Sequence, residues 1–221
     1  MIQTINLCKS YRISGQVIKA ADRVNISIST GELVAIIGHS GSGKTTLLSL
    51  LGGLTKPDSG QVLIEDLNLW SMNDSRLAQL RNKRFGFIYQ FASLIPTLTA
   101  LENLYLPTAF GKGYDDLKNR AMDLLQKVGM NDKADFYPSQ LSGGQQRRVS
   151  IARAFINNPE IILADEPTGD LDEETEAEII DLFKTMNQER GTTFIIVTHN
   201  KSIAQQAQRN FSMRDGDLQE N

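Results

Sequence analysis

The stretch Gly38-His39-Ser40-Gly41-Ser42-Gly43-Lys44-Thr45 fits G-x-x-x-x-G-K-[ST] at every fixed position. Its flanks also suit the pattern. The apolar run ELVAIIG (residues 32–38) reads as a strand before it, and GKTTLLSLLGGL reads as a helix that Gly52 and Gly53 end. Nothing else in the chain restricts the fold as strongly, because a glycine-rich turn from buried strand to helix is how an α/β sheet cradles phosphates. The glycines let the backbone wrap closely around phosphate oxygens with its N–H groups turned inward. Lys44 is then expected to reach the β- and γ-phosphates, and the Thr45 hydroxyl to ligate Mg²⁺. Gly38, Ser40, Gly41, Ser42, Gly43, Lys44, Thr45 and Thr46 form the expected nucleotide-binding set. His39 and Ser42 fill variable positions and receive no separate role.

The sequence before this loop reads as β: MIQTINLC, then VNISIS with Val24, Ile26 and Ile28 in alternation. After it, KPDSG reads as a turn and QVLIE as a short strand. The middle of the chain changes character. DSRLAQLRNKR, TALENLYLPTAF, DDLKNRAMDLLQKVG and GGQQRRVSIARAFI carry apolar residues at three- and four-residue spacing, and only FGFIYQ (residues 85–90) reads as a strand. Beyond Pro159 strands and helices alternate again: EIILAD, the helix EETEAEIIDLFKTMNQER, TTFIIVTH, a short helix from Lys201 and a hairpin around RDGD. Continuous apolar strands joined through helices imply a mainly parallel sheet covered on both faces. The expected fold is therefore α/β. A P-loop NTPase core (residues 1–90 and 158–221) carries an N-terminal antiparallel β subdomain and is interrupted by a helical insertion over residues 91–157.

Charge and cysteine usage exclude some functions. A net charge of −3 argues against nucleic acid as a partner. The one short basic cluster, Arg81-Asn82-Lys83-Arg84, reads as a solvated helix end. Cys8, the single cysteine, fits a reducing compartment and reads as a small core hydrophobe. The N-terminus lacks the pattern of a signal peptide, and no apolar run approaches the ~18 residues of a membrane span. A cytoplasmic chain is expected, with any membrane role supplied by a partner.

Several further residues carry chemistry. IILADE (residues 161–166) is a buried strand that ends in two carboxylates, at the sheet edge where ligands sit in open α/β folds. Asp165 suits the Mg²⁺ shell, directly or through water, and Glu166 is placed to polarise an attacking water as general base. Gln90 and His199 end two other strands, where parallel strands converge on a γ-phosphate. Tyr11, after the first strand, is a candidate to stack on a nucleotide base. QLSGGQQRRVSIARAF (residues 140–155) offers a second helix start with Ser142 as cap and Gly143 and Gly144 leaving N–H groups uncovered, another anion-binding arrangement.

Taken together these motifs resemble the nucleotide-binding subunit of an ABC transporter over essentially the whole chain. GHSGSGKT resembles the Walker A loop, Gln90 the Q-loop, LSGGQ (141–145) the signature, IILADE Walker B with its catalytic glutamate, GDLD (169–172) the D-loop, and His199 the switch histidine. The stretches GFIYQFASLIPTLTALENLYLP and LSGGQQRRVSIARA are similar to the lipoprotein-releasing and macrolide-exporter type. The resemblance implies an ATPase that binds ATP and Mg²⁺, with Lys44, Gln90, Glu166 and His199 catalytic, Tyr11 on the adenine, and Thr45, Gln90 and Asp165 at the metal. It further implies a head-to-tail dimer around two ATP. Ser142, Gly143, Gly144 and Gln145 would then act in trans, and Asp170 and Asp172 would meet the partner. A membrane permease would dock near residues 91–99, which begin at Phe91 and end at Thr99, holding the chain on the inner face of the membrane for export or extraction of lipophilic, peptide or lipoprotein substrates. Asp170 departs from the Asn or small residue common in the D-loop. A non-transport relative that regulates a membrane partner in cell division is the alternative.

Overall fold

A hairpin of two long strands begins the chain in the computed structural model, which describes residues 1–110, 116–169 and 171–221. Strands β1 (Ile2–Ile13) and β2 (Gln16–Val24) are joined at Ser14-Gly15, both at positive φ (49° and 83°). The first four residues of β2 are exposed, so this strand lacks the buried alternation that marks a strand in sequence. The chain continues through β3 (Ser27–Ile28), β4 (Leu33–Ile37), α1 (Lys44–Leu51), β5 (Ser59–Ile64), β6 (Leu67–Asn68), α2 (Asp74–Arg84) and β7 (Phe85–Ile88). Helices α3 (Ala100–Tyr105), α4 (Leu117–Lys127) and α5 (Gly143–Ala154) come next. They are followed by β8 (Ile161–Asp165), α6 (Glu173–Arg190), β9 (Thr193–Thr198), α7 (Lys201–Gln206), β10 (Arg209–Arg214) and β11 (Asp217–Glu220).

Two sheets result. One has the order β11-β10-β4-β9-β8-β7, parallel throughout except for the β10–β11 hairpin. The other is antiparallel, β2-β1-β5-β6, with β3 also on β1. Side chains alternate between two covered faces, which explains why the central strands are apolar apart from Asp165, Thr193 and Thr198 at their ends. Ile162, Ala164, Phe194 and Ile196 face one core with α3 to α6, while Ile161, Leu163, Ile195 and Val197 face a second core with α1 and the antiparallel sheet. Phe155, Phe183 and Phe194 meet in the first core with ring centroids 5.1 to 6.3 Å apart.

Between β7 and α3 the chain runs as an irregular segment over residues 89–99. A capping box ends it: Thr99 Oγ1 accepts from Glu102 N, and Glu102 Oε2 accepts from Thr99 N. Asn103, fully buried, holds it from beneath, donating to the carbonyls of Ile95, Leu98 and Thr99 and accepting from Ile95 N. Helix α3 is shorter than its apolar spacing predicts. It passes into a 3₁₀ turn (Leu106–Phe110) at Pro107, which has no N–H to continue the ladder.

Two expectations need correction. Arg81 and Arg84 in the basic cluster are not simply solvated: Arg84 bridges Glu65 and Glu160, and Arg81 donates to Gly53 O. Cys8 is half-buried rather than a core residue, because β1 is irregular there and its Sγ accepts from Arg23 N. Among the described residues no helix is long and apolar enough to cross a membrane.

Candidate nucleotide site

Four neighbouring parallel strands deliver the site residues at their C-terminal ends. β4 leads into the glycine loop, β7 into Tyr89-Gln90, β8 ends at Asp165, and β9 leads into His199. Side chains distant in sequence therefore converge on one edge. They line a cavity of about 630 Å³ that includes Tyr11, Ser40, Gly41, Gly43, Lys44, Thr45, Thr46, Gln90, Asp165, Glu166 and His199. Gly38 and Ser42 lie behind the loop instead. Ser42 is buried, and a Cβ on Gly38 would run into Met213 O and Ser42 Oγ. Gly43 precedes α1 at φ 108°, a conformation L side chains avoid, and a Cβ there would also strike Ala20 O and Met213 Cε. The loop is thus wedged between β2 and β10, which keeps its shape.

Within the cavity, Lys44 Nζ donates to the carbonyls of Gly38 (2.7 Å) and His39 (3.1 Å), so the ammonium sits over the loop it belongs to. Thr45 Oγ1 donates to Asp165 Oδ2 at 2.8 Å. Asp165 is only 5% exposed. Burial pushes its carboxyl above the ordinary value, as does the neighbouring Glu166 charge, against the opposing pull of the Thr45 bond, Lys44 and Arg147. A buried carboxylate beside a hydroxyl is a suitable oxygen pair for Mg²⁺, which takes one or two protein ligands and leaves the remainder to phosphates and water.

Glu166 stands at φ 46°, a left-handed conformation uncommon for a non-glycine residue, with its N–H bonded to Val197 O. That turn aims the carboxylate across to β9. Thr198 Oγ1 donates to Glu166 Oε2 at 2.8 Å, His199 N donates to the same oxygen at 3.3 Å, and His199 Nδ1 lies 2.9 Å from Oε1. Glu166 and His199 are therefore direct partners, which strand-end position alone does not reveal. Tyr11 sits opposite, on β1, with Ile13, Ile18 and Ala20 giving that wall of the cavity an apolar face.

Ser142, Gly143, Gly144 and Gln145 do not line this cavity. Ser142 caps α5 in a capping box: its Oγ accepts from Gln145 N (3.2 Å), and Gln145 Oε1 accepts from Ser142 N (2.9 Å). Ser142 and Gly143 are exposed at this helix end. Asp172 caps α6, accepting from Thr175 N and Oγ1, bonds that hold its carboxyl below the ordinary range. Asp170 lies outside the described residues. Arg147 and Thr198 are cavity or contact residues with no motif position that singles them out. Only tertiary packing brings Arg147 of α5 to the cavity and the Thr198 hydroxyl to Glu166.

The Asp165 environment has a measurable consequence. Its carboxyl binds a proton more readily folded than unfolded, so stability falls as pH rises from the ordinary value of 3.8 through the raised folded value. Asp165→Asn keeps an oxygen for the Thr45 hydroxyl and removes the charge. The nucleotide-free variant is expected to melt at a higher temperature than the parent at pH 7. The gap should close as pH is lowered into the carboxylate range, and ATP hydrolysis should be lost. A lower melting temperature at pH 7 contradicts burial as the dominant cause.

A strand–glycine loop–helix cradle, a buried aspartate bonded to the loop threonine and a glutamate held by a histidine define a P-loop ATPase. Residues 21–169 match the family described as ABC transporter, and the chain belongs to that family. It is an ATPase, turning ATP and water into ADP and phosphate with Mg²⁺ as cofactor. Its sequence is 44% identical to the lipoprotein-releasing system ATP-binding protein LolD of Idiomarina loihiensis over 219 residues, 99% of this chain and 96% of that protein. Its fold is similar to a dimeric structure of the ATP-binding cassette MJ0796 in a post-hydrolysis state with ADP and Pi. The TM-score is 0.95 at 41% identity, covering 100% of this chain and 98% of that one. Another dimeric structure of MJ0796, a bacterial ABC transporter cassette, aligns with a TM-score of 0.93, also at 41% identity and with the same coverage of both chains.

Proposed function

We infer that this chain is the ATP-hydrolysing subunit of a transporter, pairing with a second copy around two ATP and driving an integral membrane permease. One observation carries this reading. Lys44, Thr45, Asp165, Glu166 and His199 share one cavity, while the exposed helix end at Ser142 and Gly143 lines no part of it. A helix end with uncovered N–H groups attracts an anion, and here it has neither a lysine-bearing loop nor a metal carboxylate of its own. Each ATP is then held by the glycine loop of one copy and the Ser142–Gln145 end of the other, an arrangement with two equal composite sites. Tyr11 stacks on the base, and the loop N–H groups and Lys44 hold the phosphates. Thr45, Asp165 and Gln90 take Mg²⁺, which when bound neutralises charge on the phosphates. Glu166 accepts the proton of the attacking water, and His199 orients Glu166 through its Nδ1 contact. Asp170 and Asp172 belong to the dimer contact in this reading.

The helical part, residues 91–157, is read as a subdomain that receives the permease. A groove of about 750 Å³ supports this, lying between α2, β7 and the end of α5 and lined by Phe87, Tyr89, Pro107 and Arg153 among others. Phe91, 73% exposed, stands at the head of the adjoining segment. The chain then works at the cytoplasmic face of the membrane, and likeness to a lipoprotein-releasing ATPase favours extraction or export of lipophilic, peptide or lipoprotein substrates.

A photo-cross-linking residue placed at position 91 tests this in intact cells. The expected product is a covalent adduct with a polytopic permease, identified by mass spectrometry. An adduct with a cell-division membrane protein instead refutes the transport reading.

A further inference from the structure

The segment leaving β7 has its backbone held in an unusual way. Arg147 of α5 donates through Nη1 to Tyr89 O and through Nη2 to Gln90 O. Arg153 of the same helix donates through Nη2 to Ala92 O (3.0 Å) and through Nη1 to Ser93 O (2.9 Å). The carbonyl between them, on Phe91, accepts from Ser93 Oγ. Every carbonyl from residue 89 to 93 thus has a side-chain donor, and four of the five donors are guanidinium nitrogens of one helix.

Arg147 is 2% exposed. A charge that deep is unfavourable unless its donors are used, and a planar guanidinium can serve two carbonyls at once where an ammonium acts as a point donor. Its charge also reaches Asp165. The two arginines stand at different places: Arg147 lines the nucleotide cavity, whereas Arg153 lines the groove beside α2. Helix α5 begins at the Ser142 cap. One rigid helix therefore joins the groove, the Gln90 backbone and the exposed helix end.

We propose that Arg147 is a positioning residue that locks Gln90 to α5, so that Gln90 and the Ser142–Gln145 end move as one body. Arg153 extends the same grip to the groove. The proposal rests on the roles given above to Gln90 and to the helix end. Motion at either end of α5 reaches Gln90 through hydrogen bonds to its own backbone, without passing through the sheet.

Steady-state ATP hydrolysis by Arg147→Gln, Arg147→Lys, Gln90→Ala and the Arg147→Gln/Gln90→Ala double variant tests this. Arg147→Gln is expected to lower kcat about tenfold or more while KM for ATP stays within about threefold, as for loss of an interaction made only in the transition state. Arg147→Lys should recover part of the loss. The double variant should lose little more than Gln90→Ala alone, because residues that act through each other are not additive. An Arg147→Gln enzyme within twofold of the parent, or fully additive losses, overturns the lock even when Gln90→Ala is impaired. Parental kcat in Gln90→Ala overturns the role given to Gln90, and the lock with it. If Arg147→Gln does not fold, the same cycle built on Arg147→Lys decides.

Discussion

Glu166→Gln is expected to bind ATP as the parent does, to lose about 10²–10⁴-fold in turnover, the range typical of a general base, and to accumulate as an ATP-bound dimer. The geometry makes the substitution a clean one. Glutamine keeps the volume of the side chain and an oxygen to accept from Thr198 Oγ1, which holds Glu166 Oε2 at 2.8 Å. An amide cannot take a proton, so the hydrolytic step fails while the cradle around Lys44 is untouched. Nucleotide bound between two copies stabilises the dimer by mass action, and blocking its breakdown leaves the dimer in place. Rapid-quench hydrolysis, equilibrium binding of a fluorescent ATP analogue and light scattering measure the three parts. A twofold loss of turnover would exclude Glu166 as the base. His199→Ala should also reduce turnover, since Nδ1 of His199 lies 2.9 Å from the same carboxylate.

Ser142→Arg is expected to abolish ATP-driven dimerisation while leaving ATP affinity of the single chain within about threefold. Ser142 lies at an exposed helix end outside the cavity that holds Lys44 and Asp165. A bulky cation there damages only a site completed by another copy, and it also removes the cap that Gln145 N uses. Loss of an N-cap costs about 0.5–2 kcal/mol, so thermal unfolding should confirm that the variant remains folded. Mixing Ser142→Arg with Lys44→Ala carries the argument further. Their heterodimer contains one site with both residues intact and one with neither, so hydrolysis in the mixture should exceed the sum of the two variants alone. Unchanged dimerisation of Ser142→Arg in ATP refutes action in trans.

The elements that sequence makes legible share a physical origin. β4, β8 and β9 are buried on both faces and are apolar except where β8 ends at Asp165 and β9 begins at Thr193 and ends at Thr198. Helix α6 starts where Asp172 can cap it and ends at Gly191 in the left-handed conformation. Lys44, Thr45, Asp165 and Glu166 are legible for a related reason: each sits at a strand end or helix start that local pattern marks. β2 escapes that reading because most of its first half faces solvent, and the shortened α3 because Pro107 outweighs the apolar spacing. Arg147 is illegible in another way. In QQRRVS it is one cation among several, and only the packing of α5 against the end of β7 brings its guanidinium to Tyr89 O and Gln90 O.

From the order of residues alone follow a glycine-rich strand-to-helix loop, a pair of carboxylates at a strand end and a second helix end with uncovered donors, because each is encoded within a dozen consecutive residues. Which of these share a cavity is a matter of tertiary structure. Strand order places β4, β7, β8 and β9 side by side, so that Lys44, Gln90, Asp165, Glu166 and His199 meet, and it leaves Ser142 to Gln145 apart. Hydrogen bonds between residues far apart in sequence, such as Thr45 to Asp165 and Thr198 to Glu166, exist only once that sheet has formed.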